Sequence, residues 1–245
     1  MEQHIHQGQP VKLGKHAPKL DSRTLRLVKY LPTALPDTSA ARDLTIGLPW
    51  DDDVLGNNQY DCCTCAALGH MIKLLQVTNG LPVTVTTEGV LAAYSAITGF
   101  KPDDPNTDNG ANMLDVLKYA RNTGICGVRI KAFMAFSPSD QKLMRAAVDL
   151  FGGAYVGLSL PTSAQDQDIW DVVPGMVPGS WGGHAVSDVA TSPALNCINT
   201  WGGKKPLTPA FIAKCGDEGY ALLFEDLPPP AGLDMATLEA DLALL

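Results

Sequence analysis

Gly56-Asn57-Asn58-Gln59-Tyr60-Asp61-Cys62-Cys63-Thr64-Cys65-Ala66-Ala67 decides how the rest of this chain is read. The cysteine cluster opens an apolar run in which Leu68, Met71, Ile72 and Leu75 recur at helical spacing, and Gly80-Leu81-Pro82 closes it. That pattern puts a thiol at the start of a helix, with Asp61 as the candidate N-cap. A thiol is a poor nucleophile until it loses its proton, and a helix N-terminus beside an imidazole favours the thiolate. The imidazole is found downstream in Gly182-Gly183-His184-Ala185-Val186, where a Gly-Gly turn sets His184 at the head of a strand. Asn199-Thr200-Trp201-Gly202 follows one hairpin later, with an amide to hold the ring in one tautomer and an indole to cover that bond from water.

Outward from these segments, the first half of the chain is helical and the second half strand-rich. Helices are expected over Glu88–Ile97 and Met113–Asn122, the latter with Gly124 beyond its end, and a further one from Ser137-Pro138, where serine caps and proline is pre-set for the first position. Apolar runs bounded by Gly, Pro and Ser predict strands at Ala154–Leu160, His184–Ala190, Leu195–Asn199 and Tyr220–Phe224. The class is therefore α+β in two lobes. Residues 1–45 read as an extended, basic, Pro-rich arm, 46–225 as the main domain, and 226–245 as a Pro spacer followed by a short amphipathic helix.

The motifs resemble those of papain-like cysteine peptidases over about Leu44 to Phe224: a Gln-x5-Cys opening, an Asn-Gly followed by a Met-x2-Val-x2-Tyr helix at Asn109 to Tyr119, then Gly-Gly-His-Ala-Val and Asn-Thr-Trp-Gly. They are still more similar to a group of papain-like proteins from bacteria and their phages that carry a Gly-Asn-Asp-x-x-Gly-Asp-Cys-Thr opening and a Ser-Trp-Gly-Gly-His-Ala-Val segment, matched here by Gly56 to Thr64 and Ser180 to Val186. The resemblance implies a two-lobed fold, with a helical lobe over about 56–125 and an antiparallel, β-barrel-like lobe over about 126–225. It also implies Cys, His184 and Asn199 as nucleophile, base and orienter, and a substrate channel bordered by Asn109, Gly110, Gly183 and Trp201.

Two nucleophiles stay open. Papain spacing pairs an oxyanion-hole Gln59 with Cys65, while the closer group pairs Asn57 with Cys63. Counted from Asp61, Cys63 lies in the first helical turn and Cys65 on the buried stripe with Leu68 and Ile72, which favours Cys63. The chain departs from the papain pattern in lacking a tryptophan after the nucleophile and in carrying Asp108 where a cysteine usually precedes the Asn-Gly.

The 245 residues are 45% hydrophobic, enough for a substantial core. Formal charge is −8, with seven Lys/Arg against four Asp/Glu in residues 1–45 and eleven against twenty-two in the remainder. An acidic body without clustered Lys/Arg argues against nucleic acid as a partner. No apolar run approaches the roughly 20 residues of a membrane span, and Met1-Glu2-Gln3-His4 lacks the pattern of a signal peptide, so a cytoplasmic protein with reduced thiols is expected. No cofactor is implied. The cysteine cluster lacks a second ligand pair for zinc, and Asp104 to Asp115 only weakly echoes a calcium loop, its glycine one position late.

The leading expectation is a cysteine peptidase or amide hydrolase acting on a peptide or protein through a thioester. The alternative is a catalytically silent papain-fold binding protein, such as a phage virion component whose residues 1–45 and 232–245 clasp neighbouring subunits. The arm is too short and too Pro-rich to resemble the longer helical prosegment of papain-type zymogens, so self-inhibition is not expected.

Overall fold

The computed structural model describes residues 4–6, 9–32, 35, 40–48 and 53–245. The arm starts with an antiparallel ribbon of β1 (His4–His6) and β2 (Gln9–Val11), and adds two short strands, β3 (Leu25–Arg26) and β4 (Arg42–Asp43), to the main sheet. Three helices follow: α1 (Cys63–Thr78), α2 (Thr87–Thr98) and α3 (Met113–Asn122). The rest alternates between sheet and helix as β5 (Ile130–Phe136), α4 (Gln141–Phe151), β6 (Ala154–Leu160), β7 (Gly182–Thr191), β8 (Asn196–Thr200), β9 (Gly203–Leu207), α5 (Pro209–Cys215), β10 (Gly216–Phe224) and α6 (Met235–Leu242).

The sheet runs β3-β5-β10-β6-β7-β8-β9, with β4 paired to β7. It divides two hydrophobic cores, because successive side chains of a strand point to opposite faces. On β6, Tyr155 joins the core of α1, α2 and α3, while Ala154 and Val156 join that of α4, α5 and α6. On β7 the same alternation sends Ala185 to the first core and Val186 to the second. The α+β class and its two lobes are as expected, but the sheet is open, with β3 and β9 at its ends, so it does not close into a barrel.

Local chemistry sets the helix boundaries. Thr86 caps α2 by accepting from Gly89 N, and Gly99 ends it in the left-handed region at φ 79°. The helix expected from Ser137-Pro138 starts instead at Gln141, since the Asp140 carboxylate accepts from two backbone N–H groups, Lys142 and Leu143, while Ser137 spends its hydroxyl on Ser139. The N-cap of α1 is Cys62 rather than Asp61, whose own N–H is turned to the Asp108 carboxylate (3.0 and 3.2 Å). The strand β5 and the α5 helix were not expected from the sequence. The C-terminal α6 docks on its own chain: Leu238 is fully buried, and Asp241 accepts from the Tyr30 hydroxyl at 2.5 Å. No described helix is long and apolar enough to cross a membrane.

Asp188 lies wholly buried on β7, where Asn196 Nδ2 donates to one carboxylate oxygen and the other takes no hydrogen bond among the described residues. Burial pushes its carboxyl up to about 8, against the pull of Asn196 and of the Ala190 and Cys197 N–H groups. A folded-state pKa above the unfolded one means that the folded chain keeps a proton the unfolded chain gives up between about pH 4 and 8, so this residue makes stability fall as pH rises through that window. Asp188→Asn keeps the acceptor and removes the titration. Chemical denaturation of the variant at a series of pH values is expected to gain on wild type by on the order of a few kcal/mol between pH 4 and 8; parallel pH profiles would exclude a buried neutral carboxyl.

Candidate active site

Cys63 is the first residue of α1 and only 1% exposed. Two contacts hold the helix start against the sheet: Tyr155 donates to the Thr64 carbonyl (2.8 Å), and the Ala185 N–H is directed at the Cys63 sulfur. Cys63 lines one small cavity with Asn57, His70, Ala185, Asn199, Thr200 and Trp201, whereas His184 is not part of its lining. Cys65 does not line it; it is packed in the helical core, where burial pushes its thiol up to about 12. Of the two oxyanion candidates, Asn57 is buried in the cavity wall, with Nδ2 donating to Tyr60 O (3.0 Å), and Gln59 is exposed.

His184, 1% exposed, lies on β7 with its ring stacked on Trp201 at 4.4 Å between centroids and 20° between planes. Trp201 and Gly202 form the two-residue turn joining β8 to β9, both at positive φ (48° and 77°), as the tight turn of a twisted hairpin requires. A tryptophan is strained in that region, and the indole so placed covers the histidine. The ring's Nε2 lies 2.6 Å from Thr200 Oγ1. Asn199, expected as the orienter, makes no side-chain hydrogen bond among the described residues, although it lines the cavity. Thr200 was not singled out in the sequence, although it stands inside the Asn-Thr-Trp-Gly motif.

The arm runs through this site. Gly14 and Lys15 both donate backbone N–H to Gly183 O (3.2 and 3.1 Å), Ala111 N donates to Gly14 O (2.8 Å), and His16 N donates to Ala111 O (3.0 Å). Trp201 Nε1 donates to Lys12 O (3.1 Å), and the His16 ring meets Asn109 O at 2.6 Å. The four residues expected to border a substrate channel, Asn109, Gly110, Gly183 and Trp201, thus all contact the chain's own arm. Glycine is required on both walls: a Cβ on Gly110 would fall 2.1 Å from Gly14 O, and one on Gly183 2.1 Å from Lys15 O. The arm is equally constrained, since a Cβ on Gly14 would fall 1.9 Å from the Asp61 carbonyl oxygen. The path of the arm was not legible in its sequence, because a covering segment needs backbone contacts and not a helix.

Burial pushes the Cys63 thiol up to about 11, against the pull of the Ala185 and Gly14 N–H groups and the Lys15 ammonium. Desolvation outweighs the helix N-terminus while the arm is in place. Asp61, beside the arm, is pushed up to about 6 by burial and by the Asp108 carboxylate, with Lys12 at 3.9 Å opposing. No disulfide involves any of the six cysteines, and no metal-binding cluster of His, Cys, Asp and Glu occurs among the described residues.

Around this site the fold is that of papain-like cysteine proteases. The chain matches the crystal structure of xylellain, a cysteine protease from Xylella fastidiosa, with a TM-score of 0.68 and 17% identity over 88% of this chain and 97% of that one. It matches procathepsin B S9 from Trypanosoma congolense with a TM-score of 0.58 and 13% identity over 87% of each chain. A Carica candamarcensis cysteine protease aligns with a TM-score of 0.50 and 13% identity over 75% of this chain and 97% of that one. No protein-family model and no curated protein matches the sequence.

Iodoacetamide labelling with peptide mapping tests the arm's grip on the sulfur. Cys63 is expected to label slowly at pH 7.5 in the wild-type chain, and about ten to a hundred times faster in Gly14→Val, whose side chain cannot fit against the Asp61 carbonyl. Equal rates in the two proteins would show that the arm does not cover the thiol.

Proposed function

We propose that this chain is a cysteine peptidase held latent by its own arm. The observation that carries the reading is the lodging of the arm's main chain between the Gly110-Ala111 and Gly183 walls, directly over Cys63. A slot that bonds a peptide backbone from both sides is a peptide-binding site whatever its side chains. In this reading Cys63 is the nucleophile, at the positive end of α1, and attacks a carbonyl carbon to form a thioester that water then cleaves. The Asn57 amide and the Cys63 N–H are the donors for the oxyanion. His184 takes the thiol proton and returns it to the leaving amine, with Thr200 fixing the ring, Trp201 shielding it and Asn199 placed beside them in the cavity wall.

The arm escapes cleavage because it offers the sulfur a donor. The Gly14 N–H lies between Gly183 O, which accepts it at 3.2 Å, and the Cys63 sulfur, and the Gly14 carbonyl is engaged by Ala111 N on the opposite wall. An N–H at the sulfur is a hydrogen-bond contact, not an attack geometry. Release of the arm removes a strip of protein from the cleft, exposes the thiol to solvent and lowers the desolvation that keeps it protonated. The catalytically silent alternative shares the fold and the covered slot and differs in the chemistry that follows release.

The test uses the full chain with the arm dislodged by Gly14→Val and a fluorescent protein substrate. Hydrolysis is expected in this background. Adding Cys63→Ala or His184→Ala should abolish it, with losses of roughly a thousandfold or more, while adding Cys65→Ala should leave it within about threefold. A dislodged chain that cleaves nothing, with Cys63 labelling at the rate of an ordinary thiol, would leave the silent binding module in possession of the fold. For the orienter, Thr200→Val in the same background is expected to lower kcat by roughly ten- to a hundredfold with little change in KM; the same loss from Asn199→Ala and none from Thr200→Val would reverse the assignment.

A further inference from the structure

Lys15 is the residue next to the one that touches Cys63, and its side chain is 1% exposed. Lysine is almost never buried unless paired, and an ammonium taken from water costs on the order of several kcal/mol. Its Nζ lies 2.9 Å from Asp217 Oδ2 and 3.4 Å from Glu218 Oε1, and donates also to His16 O (3.1 Å). The floor of this pocket is Gly157 on β6, where a Cβ would fall 2.2 Å from Lys15 Cε. Ser159 donates to Asp217 Oδ2 (2.8 Å), and the Tyr220 hydroxyl to Glu218 Oε2 (2.8 Å).

Two features mark the pocket as shaped for a cation. Neighbouring residues on a regular strand point to opposite faces, yet Asp217 and Glu218 converge on one ammonium, because the pairing of β10 with β6 shifts register between Gly216 and Glu218. The bulge costs ladder regularity and brings two carboxylates to one point. They are also not saturated by lysine: among the described residues Asp217 Oδ1 accepts no hydrogen bond, and Glu218 Oε1 has only the longer ion-pair contact. A guanidinium, with five donors in a plane, would find acceptors that an ammonium leaves unused.

We propose that this pocket, formed by Gly157, Ser159, Asp217 and Glu218, is the specificity pocket of the cleft, selecting peptides with a lysine or arginine beside the reacting bond, and that Lys15 of the arm is its resident stand-in. The proposal rests on the peptidase reading and adds the substrate class. Once the arm leaves, the carboxylate pair has lost its counter-charge: burial and Asp217 push the Glu218 carboxyl up, and the Lys15 ammonium, with the Tyr220 hydroxyl, pulls it down. A basic side chain restores the balance. An apolar one buries a like-charged pair beneath it, and an acidic one adds a third charge of the same sign.

The test uses the full chain carrying Lys15→Glu, which expels the arm by charge repulsion, with Gly14→Val as a second route. Binding of a synthetic peptide of the arm sequence 10–18 is followed by tryptophan fluorescence, beside versions with leucine or glutamate in place of its lysine at position 15. Hydrolysis is followed separately with peptides differing only in a Lys, Arg, Leu or Glu at one position. The basic arm peptide is expected to bind about tenfold or more tightly than its leucine version, and Lys and Arg peptides to be cleaved with at least a tenfold advantage in kcat/KM. Both preferences should collapse when Asp217→Asn and Glu218→Gln are added. Failure of the arm peptide to bind, or binding and cleavage indifferent to the basic residue, overturns the pocket assignment. Selective binding without any hydrolysis upholds the pocket and sinks the peptidase reading; hydrolysis without selectivity does the reverse.

Discussion

The packing of the first turn of α1 against β7 and β6 is the contact on which the rest depends. Cys63, Ala66 and Ala67 are small, so the helix start approaches the sheet closely enough for Tyr155 to reach the Thr64 carbonyl and for the Ala185 N–H to face the sulfur. Gly69 allows a second close approach of α1, toward the loop before it and α2, where a Cβ would fall 2.9 Å from Leu55 Cδ1 and 3.0 Å from Val90 Cγ2. Alternation along β7 then settles the remaining geometry. Ala185 turns toward α1, and His184 lies on the strand beside it, against the Trp201 turn. Cys63 from the helical lobe meets Ala185, Asn199, Thr200 and Trp201 from the sheet lobe at one cavity, and His184 lies against the Trp201 wall of it.

Backbone recognition and side-chain recognition are divided between different parts of that cleft. The walls hold the arm through N–H and C=O groups alone, and they are glycine because a methyl group at Gly110 or Gly183 would occupy the space of the arm's main chain. The bulged acids at the start of β10 hold the Lys15 side chain that the backbone carries. The arm satisfies both at once, and its positive charge complements an acidic body. Its ionic contacts are made where water is largely excluded at Lys15, and in the open at Lys19, which pairs with Asp115 while half exposed. Only the first is of the kind that discriminates strongly between partners.

Much of the fold was legible from local signals. Met113–Asn122 and Ala154–Leu160 are the elements expected, residue for residue, because a strong apolar period with a stop signal, or a largely apolar run between breakers, needs no distant partner to be recognised. Where two local signals competed, the stronger acceptor prevailed: the Asp140 carboxylate displaced Ser137-Pro138 as the start of α4. The strand β5 was hidden because it is buried on both faces and lacks alternation, so Ile130-Lys131-Ala132-Phe133-Met134-Ala135-Phe136 carries no period of two. Asn57, Cys63, Thr200 and Trp201 around one cavity could be read as motifs, but nothing local distinguishes Thr200 from Asn199 as the partner of His184, since that depends on how a two-residue turn tilts the end of β8.

The sequence by itself determined the class of the fold, the chemical types gathered for the site and their order along the chain, since helix starts, glycine turns and strand heads are written in neighbouring residues. Only the tertiary structure decided what occupies the site. Lys15 stands 202 positions from Asp217 in the chain, and nothing in a Pro-rich, basic arm shows that one of its lysines will be buried. That outcome depends on a bulge in β10, a glycine on β6 and a slot between Ala111 and Gly183, contacts that exist only after the sheet has formed. The physical reason is that a backbone's hydrogen-bond partners, and the water excluded around a charge, are properties of the packed surface and not of the residues that approach it.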